Sequence, residues 1–322
     1  MSANDSYADD LRRMRSLLIV TSLQRRQDLR ALKLVESYAD KLAWDLDDLM
    51  IDADAWDYAV NVNQYDPKLV FCHPEVVLRH HAASFYYRGL TGLSQKAATG
   101  YIGAIKNIES GDPRARLSKE KALRMARVYN TFICSIISGS TEWTLDDGTR
   151  TVLATLGISI DGTMRNRIGD LAEDRVRSLV VEWLIDNDLL IHPTMTKEQL
   201  LQEMPTDYGL KGGILMHFRP EPDISFLREG SLLAVVEIKG GVDPAGALER
   251  LGAAKKSFDD SKGLNPRCKC FYLAGVLTDE TVARIEGDPA FEGAFDITEI
   301  LGSSTAAEEF FSEVFHHALR IV

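Results

Sequence analysis

The sequence predicts an α/β protein: a mixed sheet core flanked by helices, preceded by an α-helical N-terminal region. Three observations predict it. Two apolar, β-branched runs, residues 223–227 and 232–239, flank a short turn-forming stretch. A helical repeat follows them and leads into a third apolar run at 270–277. Residues 11–49 carry helix formers and apolar residues at helical intervals, with no proline before Pro67.

Further helices are expected over 75–87, 94–108 and 118–138, with Gly111-Asp112-Pro113 breaking the last pair. Asp146-Asp147-Gly148 marks a turn before residues 149–160, which have strand character. The boundary is placed near 150–162, giving a helical region over 1–155 and an α/β core over 156–322. That core opens with a helix over 164–187, in which Ile168, Leu171, Ala172, Val176, Leu179, Val180, Trp183 and Leu184 form one stripe. Glu173 falls on the flank of the stripe, whereas Asp170 and Asp174 point further into solvent.

The hairpin comes next. Arg228-Glu229-Gly230-Ser231 supplies the turn, so Asp223 is carried towards the far end of the following strand. Side chains alternate along a strand, so Val235, Glu237 and Lys239 share one face and Ala234, Val236 and Ile238 the other. After Gly240-Gly241, Asp243 is an N-cap and Pro244 the first helical residue; Leu248, Leu251, Ala254 and Phe258 then recur at three- and four-residue steps. With the run at 270–277 this is a right-handed β-α-β crossover, which sets a parallel strand beside the one carrying Glu237 and Lys239.

Two carboxylates held close together, Asp223 and Glu237, suit Mg²⁺, which prefers oxygen ligands and retains several waters. An ammonium beside them, Lys239, is suited to orienting or activating a water and to stabilising charge on a phosphate. The same two-residue spacing occurs at Asp66/Lys68 and Asp260/Lys262, but neither pair sits in an apolar, β-branched run. The plainer alternative is a charged pair on the wet face of an amphipathic strand. Glu173 either joins the metal site, directly or through water, or is a solvated helix acid.

Pro222-Asp223, Glu237 and Lys239 resemble the PD-(D/E)xK signature of many restriction endonucleases and related nucleases, and the match covers 18 residues. The resemblance implies a restriction-endonuclease-like core and Mg²⁺-dependent hydrolysis of double-stranded DNA, with catalysis by Asp223, Glu237, Lys239 and Glu173 and metal held by Asp223 and Glu237. A type II enzyme of this kind cuts a short palindromic site as a two-fold homodimer, leaves 5′-phosphate ends, and has a cognate DNA methyltransferase as its genetic partner. Phe85-Tyr86-Tyr87-Arg88 with Ser94-Gln95-Lys96 is similar to a segment ahead of the nuclease core in XcyI-like and XamI-like restriction enzymes.

The net charge of −11 is distributed unevenly. Residues 40–66 are strongly acidic, whereas nine bases between Arg88 and Arg127 face only three acids, so the latter stretch is the one suited to a phosphate backbone. Arg88, Gln95, Lys96 and Asn107 have side chains suited to base reading, and Arg114 and Arg116 to phosphate contact. Leu93-Ser94-Gln95 and Ile108-Glu109-Ser110-Gly111 are similar to the two ends of the helix-turn-helix in phage-repressor-like regulators. Gln95 and Glu109 stand only fourteen apart, which truncates the second helix. A regulator without catalysis is the alternative of another class, and a structure-specific repair or junction-resolving nuclease the alternative within the same one.

Other chemistries find little support. No Walker-type glycine loop is present, and His73, His80, His81, His316 and His317 read as satisfied or surface histidines rather than metal ligands. The four cysteines read as reduced thiols. No apolar run reaches membrane-spanning length and the start lacks a signal-peptide pattern, so the expected compartment is the cytoplasm.

Overall fold

The structure, a computed structural model, describes residues 3–321. The chain forms two compact units, one of residues 16–163 and one of residues 1–15 with 164–322.

The second unit is built on a seven-stranded sheet whose spatial order follows the chain. Its strands are β1 (Leu190–His192), β2 (Asp207–Leu210), β3 (Ile214–Phe218), β4 (Ile224–Arg228), β5 (Ser231–Lys239), β6 (Lys269–Ala274) and β7 (Gly293–Asp296). Pairing is antiparallel from β1 to β5 and parallel from β5 to β7. The predicted hairpin is β4–β5. Its two-residue loop, Glu229-Gly230, has positive φ at both positions (50° and 78°), the twist that suits adjoining antiparallel strands.

The predicted crossover is also present. Asp243 accepts from the Ala245 amide and opens a helical turn that runs into the Ala247–Leu264 helix, which returns the chain to β6. Helices cover both faces of β5. Ala234, Val236 and Ile238 join Ala172, Val176, Val180 and Leu184 of the Leu145–Asp186 helix in one core, with Phe311 and Phe315 stacked on Trp183. Val235, Cys270 and Tyr272 pack with Leu251, Ala254 and Phe258 on the other side.

Bare backbone sets the closest of these contacts. A Cβ on Gly240 would lie 2.2 Å from the Ala172 Cβ, and one on Gly275 2.6 Å from the Gly240 carbonyl oxygen. The exit of β5 is thus held against the helix that carries Glu173 with only the Ala172 methyl between them.

Residues 149–160 are not a strand. They belong to the 42-residue Leu145–Asp186 helix. The threonines that suggested a strand, and Ser159 with them, instead turn their hydroxyls back onto the helix: Thr149, Thr151, Thr155 and Ser159 each donate to the carbonyl four residues earlier.

The unit of 16–163 is helical, as expected, though in shorter pieces. Helices Ala3–Arg25 and Gln27–Glu36 meet at Arg26, which has a φ of 44°. Gly103, with a φ of 85°, divides the helix expected over 94–108 into Gln95–Ile102 and Lys106–Glu109. Buried Asn130 ties the unit together internally, accepting from the Cys72 amide and donating to the Leu49 and Cys72 carbonyls. All four cysteines are free and buried. No helix among the described residues is long and apolar enough to cross a membrane.

Candidate active site

Alternation along β5 and the register of β4 bring the three predicted residues together. Ile224 pairs with Val236, so Asp223, the residue just before β4, stands beside Glu237. Asp223 Oδ2 accepts from the Ile238 amide at 2.6 Å and lies 3.7 Å from Lys239 Nζ. The Lys239 ammonium is paired in turn with Glu237 Oε1. Glu237 Oε2 accepts from Ser257 Oγ at 3.0 Å. A carboxylate with one oxygen on a lysine and the other on a helix hydroxyl has little rotational freedom.

These groups are desolvated. Asp223 and Glu237 are 4% and 2% exposed, against 24% for the Lys239 side chain. Burial, followed by the Glu237 charge, raises the Asp223 carboxyl to about 7, although Lys239 and the Ile238 amide oppose the rise. Burial works to lower Lys239, but Asp223, Glu237 and Glu173 together outweigh it and its pKa is raised. Lys239 is therefore an ammonium at neutral pH and a hydrogen-bond donor rather than a base.

Two acids sharing one buried cation leave an excess of negative charge. Asp223 Oδ1 accepts no hydrogen bond from the described residues, and both carboxylates are hard oxygen donors, so the pair fits a cation such as Mg²⁺ that brings its own waters. No group of three or more His, Cys, Asp or Glu able to hold a metal occurs among the described residues.

Glu173 projects from the Leu145–Asp186 helix, half-buried, and its charge is felt by both Asp223 and Lys239. It is paired with Arg177 one turn on, whose guanidinium lies 5.1 Å from the centre of the Phe218 ring. Sequence reasoning missed Arg177 and Ser257. Ser257 had a signal, because it falls on the buried stripe of its helix between Ala254 and Phe258, where a hydroxyl needs a partner.

The residues proposed for DNA contact divide. Arg88 does not face solvent: its side chain is 1% exposed, Nε and Nη2 donate to Glu109 Oε1 and Oε2 at 2.6 and 3.0 Å, and Nη1 donates to the Leu93 carbonyl. The expectation that Arg88 reads DNA is corrected, since all three nitrogens of its buried guanidinium are used in holding two helices and a loop together. Gln95 is half-buried and donates to the same Glu109. Lys96, Asn107, Arg114 and Arg116 are exposed, with Arg114 held by Asp112. The second helix of the repressor-like pair, Lys106–Glu109, is a single turn, as the short spacing implied.

The chain also matches known proteins over most of its length. Over 231 residues, covering 67% of this chain and 66% of the relative, the chain is 26% identical to the type II restriction enzyme Cfr9I of Citrobacter freundii. It is 22% identical over 258 residues to the type II restriction enzyme XcyI of Xanthomonas campestris pv. cyanopsidis, covering 76% of this chain and 73% of the relative. Residues 63–319 match the family model of the XcyI restriction endonuclease, a span that takes in the buried Arg88 pair as well as Asp223, Glu237 and Lys239, and the chain belongs to that family.

Proposed function

We propose that this protein is a Mg²⁺-dependent type II restriction endonuclease, cutting both strands of a short palindromic DNA site and leaving 5′-phosphate and 3′-hydroxyl ends. The observation that carries the reading is the buried cluster of Asp223, Glu237 and Lys239, two acids and one ammonium on one sheet face. A short palindrome is matched by a two-fold homodimer, and a cognate methyltransferase is the genetic partner that protects the host's own sites. The cytoplasm, where that DNA lies, is the proposed compartment. Lys96, Asn107, Arg114 and Arg116 are proposed DNA contacts.

Asp223 and Glu237 would hold Mg²⁺, which supplies Lewis-acid stabilisation of the charge growing on the phosphate and a more acidic water. The protein's own groups do the rest. Lys239 donates to the attacking water, aligning it for in-line displacement at phosphorus, in which the P–O3′ bond breaks as the new P–O bond forms and the departing 3′ oxygen ends with the proton the water gives up; the positive charge of Lys239 meets the negative charge that develops on the phosphate oxygens. Ser257 keeps Glu237 from turning away. Glu173, neutralised by Arg177, is proposed to contribute from the helix side.

Incubating the purified chain with plasmid DNA and Mg²⁺ tests the reading. Discrete fragments whose ends accept ligation are expected. Cutting confined to branched DNA would instead make it a junction nuclease, and binding without cutting a regulator.

Metal and pH are expected to be linked through Asp223. Its folded-state pKa of about 7 lies above the ordinary 3.8, so the native state holds a proton that the unfolded chain releases between those values. This group's contribution therefore falls as pH rises from 4 to 7, and by neutral pH the cost is on the order of 4 kcal/mol. Mg²⁺ should consequently raise Tm more at pH 8 than at pH 5.5, and Asp223→Asn should abolish that difference. Equal Mg²⁺ shifts at both pH values in the unmodified chain would contradict the assignment.

A further inference from the structure

The sheet face that carries Asp223 and Glu237 continues onto β3 and β2. Arg219 directly follows β3 and faces Asp223 across the tight Pro220-Glu221-Pro222 loop, its amide donating to the Asp223 carbonyl at 3.3 Å. Cross-strand partners share a face, so Arg219, Asp223 and Glu237 form one row across three strands, with β-carbons of neighbours about 5 Å apart. The next row on the same face holds Asp207, His217 and Ser225.

Unlike the face of β5, which the Ala247–Leu264 helix covers, this stretch is open. The side chains of Asp207 and Arg219 are 52% and 46% exposed, and Leu215 beside them is 51% exposed. The Arg219 guanidinium is held from behind. Nη2 donates to Asp207 Oδ1 at 2.6 Å and Nη1 to the Phe218 carbonyl at 3.0 Å, while Asp207 is itself fixed by Thr206 and His217. Its Nε–H donates to none of the described residues. A half-exposed guanidinium anchored on one edge keeps donors for a planar anion on the other.

We propose that Arg219 binds a phosphate of the DNA strand next to the one being cut, with Asp207 and His217 holding it in place. The inference rests on the nuclease reading of Asp223, Glu237 and Lys239, because it is their row that Arg219 extends. A phosphodiester chain laid over Lys239 and the outer edge of Asp223 passes the Arg219 row within one strand spacing, and successive phosphates are spaced widely enough to use both positions. Arg219 thereby sets the register of the strand over the acidic pair. Phosphate contacts position DNA in this way without reading its sequence.

The test is the salt dependence of binding, measured with divalent ions chelated so that no cleavage occurs, on duplex fragments of the plasmid used above. Each phosphate contact contributes a slope of about 0.9 to log K against log salt. Arg219→Ala should lower affinity and reduce the slope by about that amount, and Arg219→Lys should restore most of it. Asp207→Ala removes the hold on Arg219 but leaves the cation, so even where affinity falls the slope should stay full. An unchanged slope in Arg219→Ala, or an equal loss of slope in Asp207→Ala, would overturn the proposal, the latter by making Arg219 merely structural. Failure here is distinguishable from failure of the nuclease reading, which shows as absence of plasmid cleavage by the unmodified chain with Mg²⁺ and leaves the slopes untouched.

Discussion

Replacing Lys239 with alanine is expected to slow single-turnover DNA cleavage on the order of 10³-fold while changing DNA affinity by no more than about threefold. The asymmetry follows from burial. The ammonium lies among carboxylates that are almost wholly desolvated and is only 24% exposed, so its charge acts in a poorly screened setting where charge develops during reaction. Ground-state DNA gains little from one cation that is already paired with two acids. Lys239→Arg is not expected to rescue the rate, because a planar fork cannot occupy the position of a compact ammonium between Asp223 and Glu237. Cleavage and filter binding on the same preparations check both halves; retained cleavage in Lys239→Ala would remove the active-site assignment.

The second large effect concerns stability. Arg88→Ala should cost about 3–5 kcal/mol, because it leaves Glu109 charged, 2% exposed and without its guanidinium. The change also frees the Leu93 carbonyl and leaves Gln95 as the remaining donor to Glu109. Three of the four tryptophans, Trp44, Trp56 and Trp143, lie in the 16–163 unit, so fluorescence-monitored urea unfolding reports mainly on it. The expected result is a lowered midpoint for that transition, partly recovered when Glu109 is also replaced by an apolar residue. A shift below about 1 kcal/mol would mean that the pair is solvated rather than buried.

What the sequence disclosed depended on whether a local rule decided the outcome. Glu237 and Lys239 were legible because strand alternation is a strict period, and Asp223 because a two-residue turn fixes hairpin register. The crossover helix announced itself through Asp243 and Pro244. Residues 149–160 misled because threonine and isoleucine suit strands, and only the helix reveals that their hydroxyls have carbonyls to bond. Arg88 misled differently. An arginine in a basic stretch has the same composition whether it meets a phosphate or a glutamate, and its partner Glu109 is twenty-one residues away. Strands β1–β3 and β7 were not anticipated. They are short, and β2, β3 and β7 carry a glycine, a histidine and an aspartate that weaken any strand pattern. Arg219 gave no signal, since its meaning comes from the strand opposite.

Residues 1–15 belong with 164–322, where Tyr7 and Leu11 join the core and Asp10 pairs with Arg175. The unit that carries Asp223, Glu237 and Lys239 is therefore discontinuous in the chain. During synthesis its first turns of helix emerge some 150 residues before the surface they cover. Any attempt to isolate this unit by cutting the chain near residue 160 would discard a piece of its own core, and a fragment meant to fold alone has to bring residues 1–15 back, either by permuting the chain or by supplying them as a separate peptide.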